Sequence, residues 1–223
     1  MRGCWVVSGM WSVVGVVGCG VPKEVIETEC STALPLDNVG TRMTYEGSAA
    51  QEFVTPMTVD FTGRTIYDGT EAWGLRQTIL RMWQGEQVQI VRESFHACDE
   101  EGVWLLGESV RWTREDPGDV VDDAYGFFPP VQVFPPDPKK GDAWSATYRL
   151  QGTLEGILDD GPVEGERSYE VDAKGSMDID GETRTTLTVA QQDSALGGAD
   201  WQKYALGIGL VKTPDVELLG LAR

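Results

Sequence analysis

The chain has 223 residues and is strongly acidic, with 18 Lys and Arg against 36 Asp and Glu, for a net charge of −18. A body of that charge is repelled by nucleic acid and by anionic headgroups, which excludes DNA-binding and RNA-binding roles. The single histidine excludes a multi-histidine metal site.

The first predicted element is a signal peptide over residues 1–18. Arg2 precedes an apolar run that is shorter than the roughly 20 residues of a transmembrane helix. The run ends in Val16-Val17-Gly18-Cys19, which resembles a bacterial lipobox. The resemblance implies cleavage before Cys19 and a diacylglycerol on its thiol; an uncleaved signal anchor or an N-terminal strand is the alternative. Gly20 in place of Asp then favours the outer membrane.

Residues 19–39 contain two prolines and several acids without periodicity, which indicates a tether. Cys4 lies in the predicted signal and Cys19 at the lipid site, so Cys30 and Cys98 remain as a disulfide candidate for an exported protein. Such a bridge would contribute about 4 kcal/mol in the chain-entropy account. Two unpaired thiols are the alternative.

The first half of the body, residues 40–112, has the alternation typical of strands. Asp68-Gly69 between two alternating runs predicts a hairpin. Residues 72–83 fit a helix face or a strand face, and the preceding turn favours the strand. The predicted strands cover residues 41–47, 53–67, 72–83, 87–98 and 103–112.

Residues 113–140 change character, with acids first and then a proline-punctuated stretch from Phe127 to Pro136. Proline cannot donate a ladder hydrogen bond, so this segment is predicted to be a linker or an extended edge segment.

The second half, residues 141–223, returns to strand patterning, with turns at Asp160-Gly161-Pro162 and Asp180-Gly181. A single closing strand is predicted over residues 201–212, and a last short strand from Val216 to Leu221 follows it. The fold class predicted for the whole chain is all-β. Its long antiparallel strands would form one curved sheet or two tandem sheets.

Three motifs stand in order along the chain: an acidic-Gly turn at 99–102 before Val103-Trp104-Leu105-Leu106-Gly107, then Gly141-Asp142-Ala143-Trp144, then a closing stretch from Tyr204 to Lys212. Together they resemble a group of poorly characterised bacterial envelope lipoproteins. The resemblance implies an all-β body and brings no catalytic residue with it. In class alone, the chain is also similar to half-barrel lipoprotein carriers, in which a curved sheet holds acyl chains.

Catalytic and metal sites find little support. Ser94, His96 and Asp99 are near in sequence, but no nucleophile elbow accompanies them. The run from Asp178 to Glu182 begins like a calcium loop and lacks the distant Glu ligand. The sequence therefore predicts a non-enzyme without metal or cofactor.

Six tryptophans of the body fall on predicted strands, either as core residues or as the aromatic lining of a ligand cleft. The expected role is a structural or interaction module of the cell envelope, anchored by the N-terminal lipid and contacting an envelope protein. The alternative is a binder or carrier of an apolar ligand in a concave sheet. The six are Trp73, Trp83, Trp104, Trp112, Trp144 and Trp201.

Overall fold

The computed structural model describes residues 33–36, 38–47, 53–83, 85–114 and 120–222. The all-β prediction is confirmed, because every regular element in these ranges is a strand. Within the same ranges no helix has the length and hydropathy needed to cross a membrane. The strands are β1 (Arg42–Gly47), β2 (Phe53–Tyr67), β3 (Thr70–Trp83), β4 (Glu86–Asp99), β5 (Gly102–Arg114), β6 (Val120–Phe134), β7 (Ala143–Thr153), β8 (Val163–Ile179), β9 (Glu182–Asp193), β10 (Ala199–Ala205), β11 (Gly209–Lys212) and β12 (Val216–Ala222).

The twelve strands form one closed antiparallel barrel. Each strand pairs with its neighbours along the chain, and β1 closes the ring by pairing with β12 from Arg42↔Ala222 to Gly47↔Val216. The fold is therefore a closed barrel, and not the single curved sheet or the two tandem sheets that the sequence predicted. Closure pairs the two strands that would otherwise be edges, which the alternation of single strands does not reveal.

The hairpin turns predicted from Asp-Gly pairs are confirmed. Asp68 and Gly69 have φ values of 45° and 77°, and Asp180 and Gly181 have φ values of 51° and 82°. Positive φ at both central residues is the requirement of the tight turn that matches strand twist. The ambiguous stretch from residue 72 is also a strand, since it belongs to β3.

The predicted linker at 113–140 is wrong, because its central part forms β6, a wall strand between β5 and β7. The prolines are accommodated by gaps in both ladders. Pairing with β7 ends at Phe128, and pairing with β5 skips from Gly126 to Val131. Pro129 and Pro130 therefore lie where neither neighbour requires a backbone N–H.

The single closing strand predicted over residues 201–212 is also wrong. It is divided into β10 and β11 by a tight turn in which Gly207 has φ +76° and the Ile208 N–H donates to the Ala205 carbonyl at 3.1 Å. The glycines of the closing motif thus form a hairpin rather than a continuous strand.

The barrel interior holds a large aromatic cluster. Phe127 contacts Tyr148 edge-on at 5.0 Å between ring centroids, Phe134 contacts Tyr204 at 4.7 Å, and Trp144 stacks on Tyr169 at 5.2 Å. The segment at 33–36 contributes Ala33, Leu34 and Leu36 to the same cluster, all three buried. The N-terminal segment therefore helps to fill the barrel from one end.

The outer wall carries exposed ion pairs across neighbouring strands, as expected of a face in contact with water. They are Arg42–Asp60, Arg76–Glu93 and Arg111–Asp122, each with nitrogen–oxygen distances of 2.6–2.7 Å.

One aromatic contact on the outer wall joins distant strands. Tyr67 stacks on Phe95 at 4.6 Å and donates its hydroxyl proton to the Tyr125 carbonyl at 3.0 Å. This close approach depends on Gly107, where a Cβ would overlap the Tyr67 hydroxyl and lie 2.5 Å from the Tyr125 carbonyl oxygen.

We expect Gly107→Ala to lower the free energy of unfolding by about 1–3 kcal/mol, the usual cost of overpacking, because backbone as well as side chain must move. Gly220→Ala is the matched control, since a Cβ there meets nothing within 4 Å. Urea unfolding of both variants measures the difference. Equal stabilities would show that Tyr67 moves aside without cost.

Candidate functional site

The inward face of β3–β6 follows directly from the register. Arg92 on β4 pairs with Gln77 on β3 and with Val110 on β5, and Val110 pairs with Asp123 on β6. Val110 is 6% exposed, and Gln77 donates from Nε2 to the sulfur of buried Met57 at 2.8 Å. Since side chains alternate along a strand, Arg92 shares the inner face with these residues.

A buried ion pair crosses the filled part of the interior. Arg167 Nε lies 2.6 Å from Asp193 Oδ2, and their side chains are 8% and 2% exposed. Asp193 also accepts the Tyr148 hydroxyl at 2.5 Å and the Leu196 N–H at 2.8 Å. Burial alone would raise the pKa of the Asp193 carboxyl, but the hydrogen bonds from Tyr148, Leu196 and Arg167 outweigh burial and the pKa is lowered.

The Arg167 guanidinium also lies 4.9 Å from the centre of the Phe127 ring. The ion pair and the aromatic cluster are therefore one packed unit, in which the charges of Arg167 and Asp193 are matched to each other.

His96 lies on the same inner face, between Trp73 and Leu105 in register. It is 5% exposed, and its Nδ1 has no hydrogen-bond partner among the described residues. Burial lowers the pKa of His96 to about 4, although the nearby Glu108 carboxylate acts in the opposite direction. Glu108 itself accepts the Tyr125 hydroxyl at 2.5 Å.

The interior of β3–β6 is less completely filled near the ends of these strands at Trp83 and Arg114. Here the inward Arg92 side chain is exposed and Val121 is 37% exposed. Val88, Ile90 and Val110 on the same face are buried, so the open part of the interior lies over Arg92 and Val121. We call this part the β3–β6 recess and define it by the inward side chains of Ile79, Arg81, Arg92, Trp112, Val121 and Asp123.

The recess combines apolar and basic groups. Ile79 and Trp112 are half-buried and pack against the buried cluster of Val88, Ile90 and Val110. The Arg81 guanidinium lies 5.3 Å from the centre of the Trp112 ring. An apolar wall with a few charged groups is the usual composition of a small-molecule site.

The six tryptophans, predicted as core residues or as the lining of a cleft, are not assembled as one surface. Trp112 lines the recess, and Trp144 belongs to the filled core, where its Nε1–H donates to the Gln132 carbonyl at 3.0 Å. Trp104 donates to Asp99 at 2.9 Å. Trp73 packs against the aromatic cluster beneath Arg64, at 5.0 Å.

The remaining two tryptophans do not contribute to the recess. Trp201 is half-buried on β10 and alternates with inward Tyr204, so it lies on the outer wall. The Trp83 side chain lies outside the described part of the chain, although its backbone ends β3.

Ser94, His96 and Asp99, which the sequence did not favour as a triad, are not joined by side-chain hydrogen bonds in the described part of the chain. Asp99 accepts hydrogen bonds from Trp104 Nε1 and from the Glu101 N–H, and within the described ranges it makes none with His96. Asp178, from the calcium-like run, accepts the Thr183 hydroxyl at 2.6 Å. Among the described residues no group of three or more His, Cys, Asp and Glu side chains is placed to hold a metal ion.

The anchor and the disulfide both involve residues that the structure does not describe. Cys19 and Cys30 lie outside the described ranges, so lipidation and bridging stay predictions. Cys98 is half-buried and packs against the aromatic cluster.

A shallow groove of about 490 Å³ crosses the outer wall of β7–β9. Its outward side chains are small, polar or acidic: Ala143, Ser145, Glu166, Ser168, Glu170, Ala190 and Gln192. The stacked pair Trp144 and Tyr169, which faces the interior, completes the lining. None of the outward side chains of the groove is a large apolar residue, so the recess is the better candidate for an apolar ligand.

Comparisons with known protein families, with curated proteins and with solved structures found no match for this chain.

The buried histidine predicts a pH dependence of stability. Because the folded pKa is near 4 and the unfolded pKa near 6.5, the unfolded chain binds the extra proton in this window. Stability is complete above pH 6.5 and falls by roughly 3 kcal/mol as the pH is lowered to 4.

Urea unfolding of wild type and His96→Gln at pH 7.0, 5.5 and 4.5 isolates this contribution, since the carboxylates are common to both proteins. The variant should lose less stability on acidification. Parallel losses would contradict a neutral, buried His96.

The buried ion pair predicts strong coupling. Arg167→Met leaves Asp193 buried without its cation and should cost about 3–5 kcal/mol in free energy of unfolding. The double variant Arg167→Met/Asp193→Asn should cost less than the sum of the two single variants. Arg111→Met, at an exposed pair, is the control and should cost less than about 1 kcal/mol. Additive single and double costs would contradict the coupling.

Proposed function

We propose that this chain is a lipid-anchored protein of the bacterial cell envelope whose barrel binds or carries an apolar ligand in the β3–β6 recess. The observation that carries the proposal is an exposed, inward-facing Arg92 beside half-buried apolar side chains. Inward side chains that reach water require space inside the barrel.

The number of strands supports this interpretation. Eight strands enclose an interior that side chains just fill, and the diameter grows with strand number. This barrel has twelve strands. The aromatic cluster and the segment at 33–36 fill one part of that wider interior, and the recess is the part that they do not reach.

The walls of the recess suit an apolar chain. Ile79, Trp112 and Val121 present hydrocarbon surface at its mouth, and each CH₂ group removed from water stabilises a complex by about 0.8 kcal/mol. The ligand class therefore agrees with the carrier alternative drawn from the sequence.

The proposed location in the cell envelope rests on the predicted lipid anchor. The lipobox-like Val16-Val17-Gly18-Cys19 supports lipidation, and Gly20 supports the outer membrane. One acyl chain binds a membrane only marginally, whereas two or three anchor a protein stably.

A non-catalytic interaction role with an envelope protein is the second candidate. It is supported by Phe128 on β6, which is 43% exposed on the outer wall beside the Tyr67–Phe95 stack. This role needs no ligand in the recess, so the two candidates differ in one measurement.

Native mass spectrometry with added hexadecan-1-ol is that measurement, with one bound molecule expected per wild-type chain. Val121→Phe should weaken binding strongly, because Val121 faces inward beside Trp112 and its exposed side chain borders the open part of the recess. Ser109→Phe is the matched control, since Ser109 faces outward beside Glu108 and should leave binding unchanged.

Thermal unfolding establishes that both variants are folded. Loss of binding in both, or in neither, would contradict a ligand in the recess. A wild-type protein that binds no alcohol would leave the interaction role as the better account.

A further inference from the structure

We infer that the β3–β6 recess selects an apolar chain with a single anionic headgroup and that Arg92 binds this headgroup. The inference rests on the proposed function and adds the chemical class of the ligand. It concerns a carboxylate or a phosphate monoester, both of which match the planar guanidinium.

The first observation is the state of Arg92 itself. It is exposed although it faces the interior, and among the described residues it forms neither an ion pair nor a hydrogen bond. In a chain with twice as many acids as bases, the exposed outer arginines Arg42, Arg76 and Arg111 are each paired with a carboxylate. Arg92 therefore differs from these arginines in both position and pairing.

Among the described residues, the two inward acids nearest to Arg92 in register are already engaged. Glu108 accepts the Tyr125 hydroxyl at 2.5 Å, and Asp123 accepts the Glu155 N–H at 3.3 Å. Neither approaches Arg92 within ion-pair distance. Two other cations of this face, Arg81 and Arg114, lie four residues closer to the strand ends, in register with Val88.

The dimensions fit an amphiphile. Arg92 lies six residues from the start of β4 at Glu86, which corresponds to about 20 Å along the strand. Ile79, Trp112 and Val121 lie in the next inward row between Arg92 and that end and retain exposed surface, whereas Ile90 of the same row is buried. A headgroup on Arg92 would thus place its chain along apolar side chains toward the mouth of the recess.

The test compares three probes of equal chain length: hexadecanoate, hexadecyl phosphate and hexadecan-1-ol. Binding is followed by Trp fluorescence, because Trp112 lines the recess, and by native mass spectrometry. Wild type should bind at least one of the two anions about tenfold or more tightly than the alcohol, the scale of one charge-assisted hydrogen-bonded contact.

Arg92→Gln should remove this preference while leaving the alcohol affinity unchanged, and Arg92→Lys should retain part of it. Arg111→Gln, on the outer wall of the neighbouring strand, should behave as wild type. A preference for hexadecanoate identifies fatty acids as the source, and a preference for hexadecyl phosphate identifies phospholipid-like molecules.

Equal binding of acid, phosphate and alcohol by wild type, or an anion preference that survives in Arg92→Gln, would overturn this inference and leave the proposed function intact. Failure of all three probes to bind wild type would instead overturn the proposed function.

Discussion

Closure of twelve strands into one ring is the constraint on which the rest of this structure depends. Closure pairs every strand on both sides and so removes free edges, but it encloses more space than side chains of ordinary size can fill. The interior of this barrel is filled unevenly. Large aromatic residues and the segment at 33–36 fill one part of the interior, whereas β3–β6 retain inward side chains that reach water.

The filled part of the interior contains a buried ion pair, Arg167–Asp193, that packs against aromatic side chains. Arg167 and Asp193 lose nearly all contact with water, and their desolvation is offset by a short ion pair and by hydrogen bonds from Tyr148 and the Leu196 N–H. Such a pair contributes little net stability compared with apolar residues, yet it fixes β8 against β9 in one register. Precise registration of these strands keeps Tyr148 and Tyr169 aligned with the rest of the cluster.

Local chemistry predicted much of the fold. Asp68-Gly69 and Asp180-Gly181 need positive φ at two successive residues, so their positions predicted two hairpins and the strand ends beside them. Ring closure was not predictable, because the pairing of β1 with β12 involves the two ends of the described chain. Likewise β6 contains two adjacent prolines, and only the gaps in both neighbouring ladders show why a strand tolerates them.

The recess was partly visible in the sequence. Val88, Ile90, Arg92 and Ser94 alternate on one face of β4, so an arginine on an apolar face was the available signal. The sequence does not show which face of β4 is the inner one, because Val91 and Phe95 make the opposite face apolar as well. Trp112 was predicted as a ligand-face aromatic, but its five companions are distributed among the core, the outer wall and the end of β3.

The topology also relates the recess to the proposed anchor. Antiparallel alternation places the start of β1 at one end of the barrel, together with the ends of β2, β4 and β6, whereas β3 and β5 end at the other. The N-terminal segment enters at the first end, where Asn38 Nδ2 donates to the Gly207 carbonyl at 3.3 Å. The recess opens at the second end, near Trp83 and Arg114.

If lipid on Cys19 holds the first end toward a membrane, the fourteen residues to Ala33 allow a separation of at most about 50 Å. The mouth of the recess then faces away from the anchoring bilayer, so ligand exchange with that membrane requires the barrel to turn on its tether, whereas exchange with a partner or an opposing membrane does not.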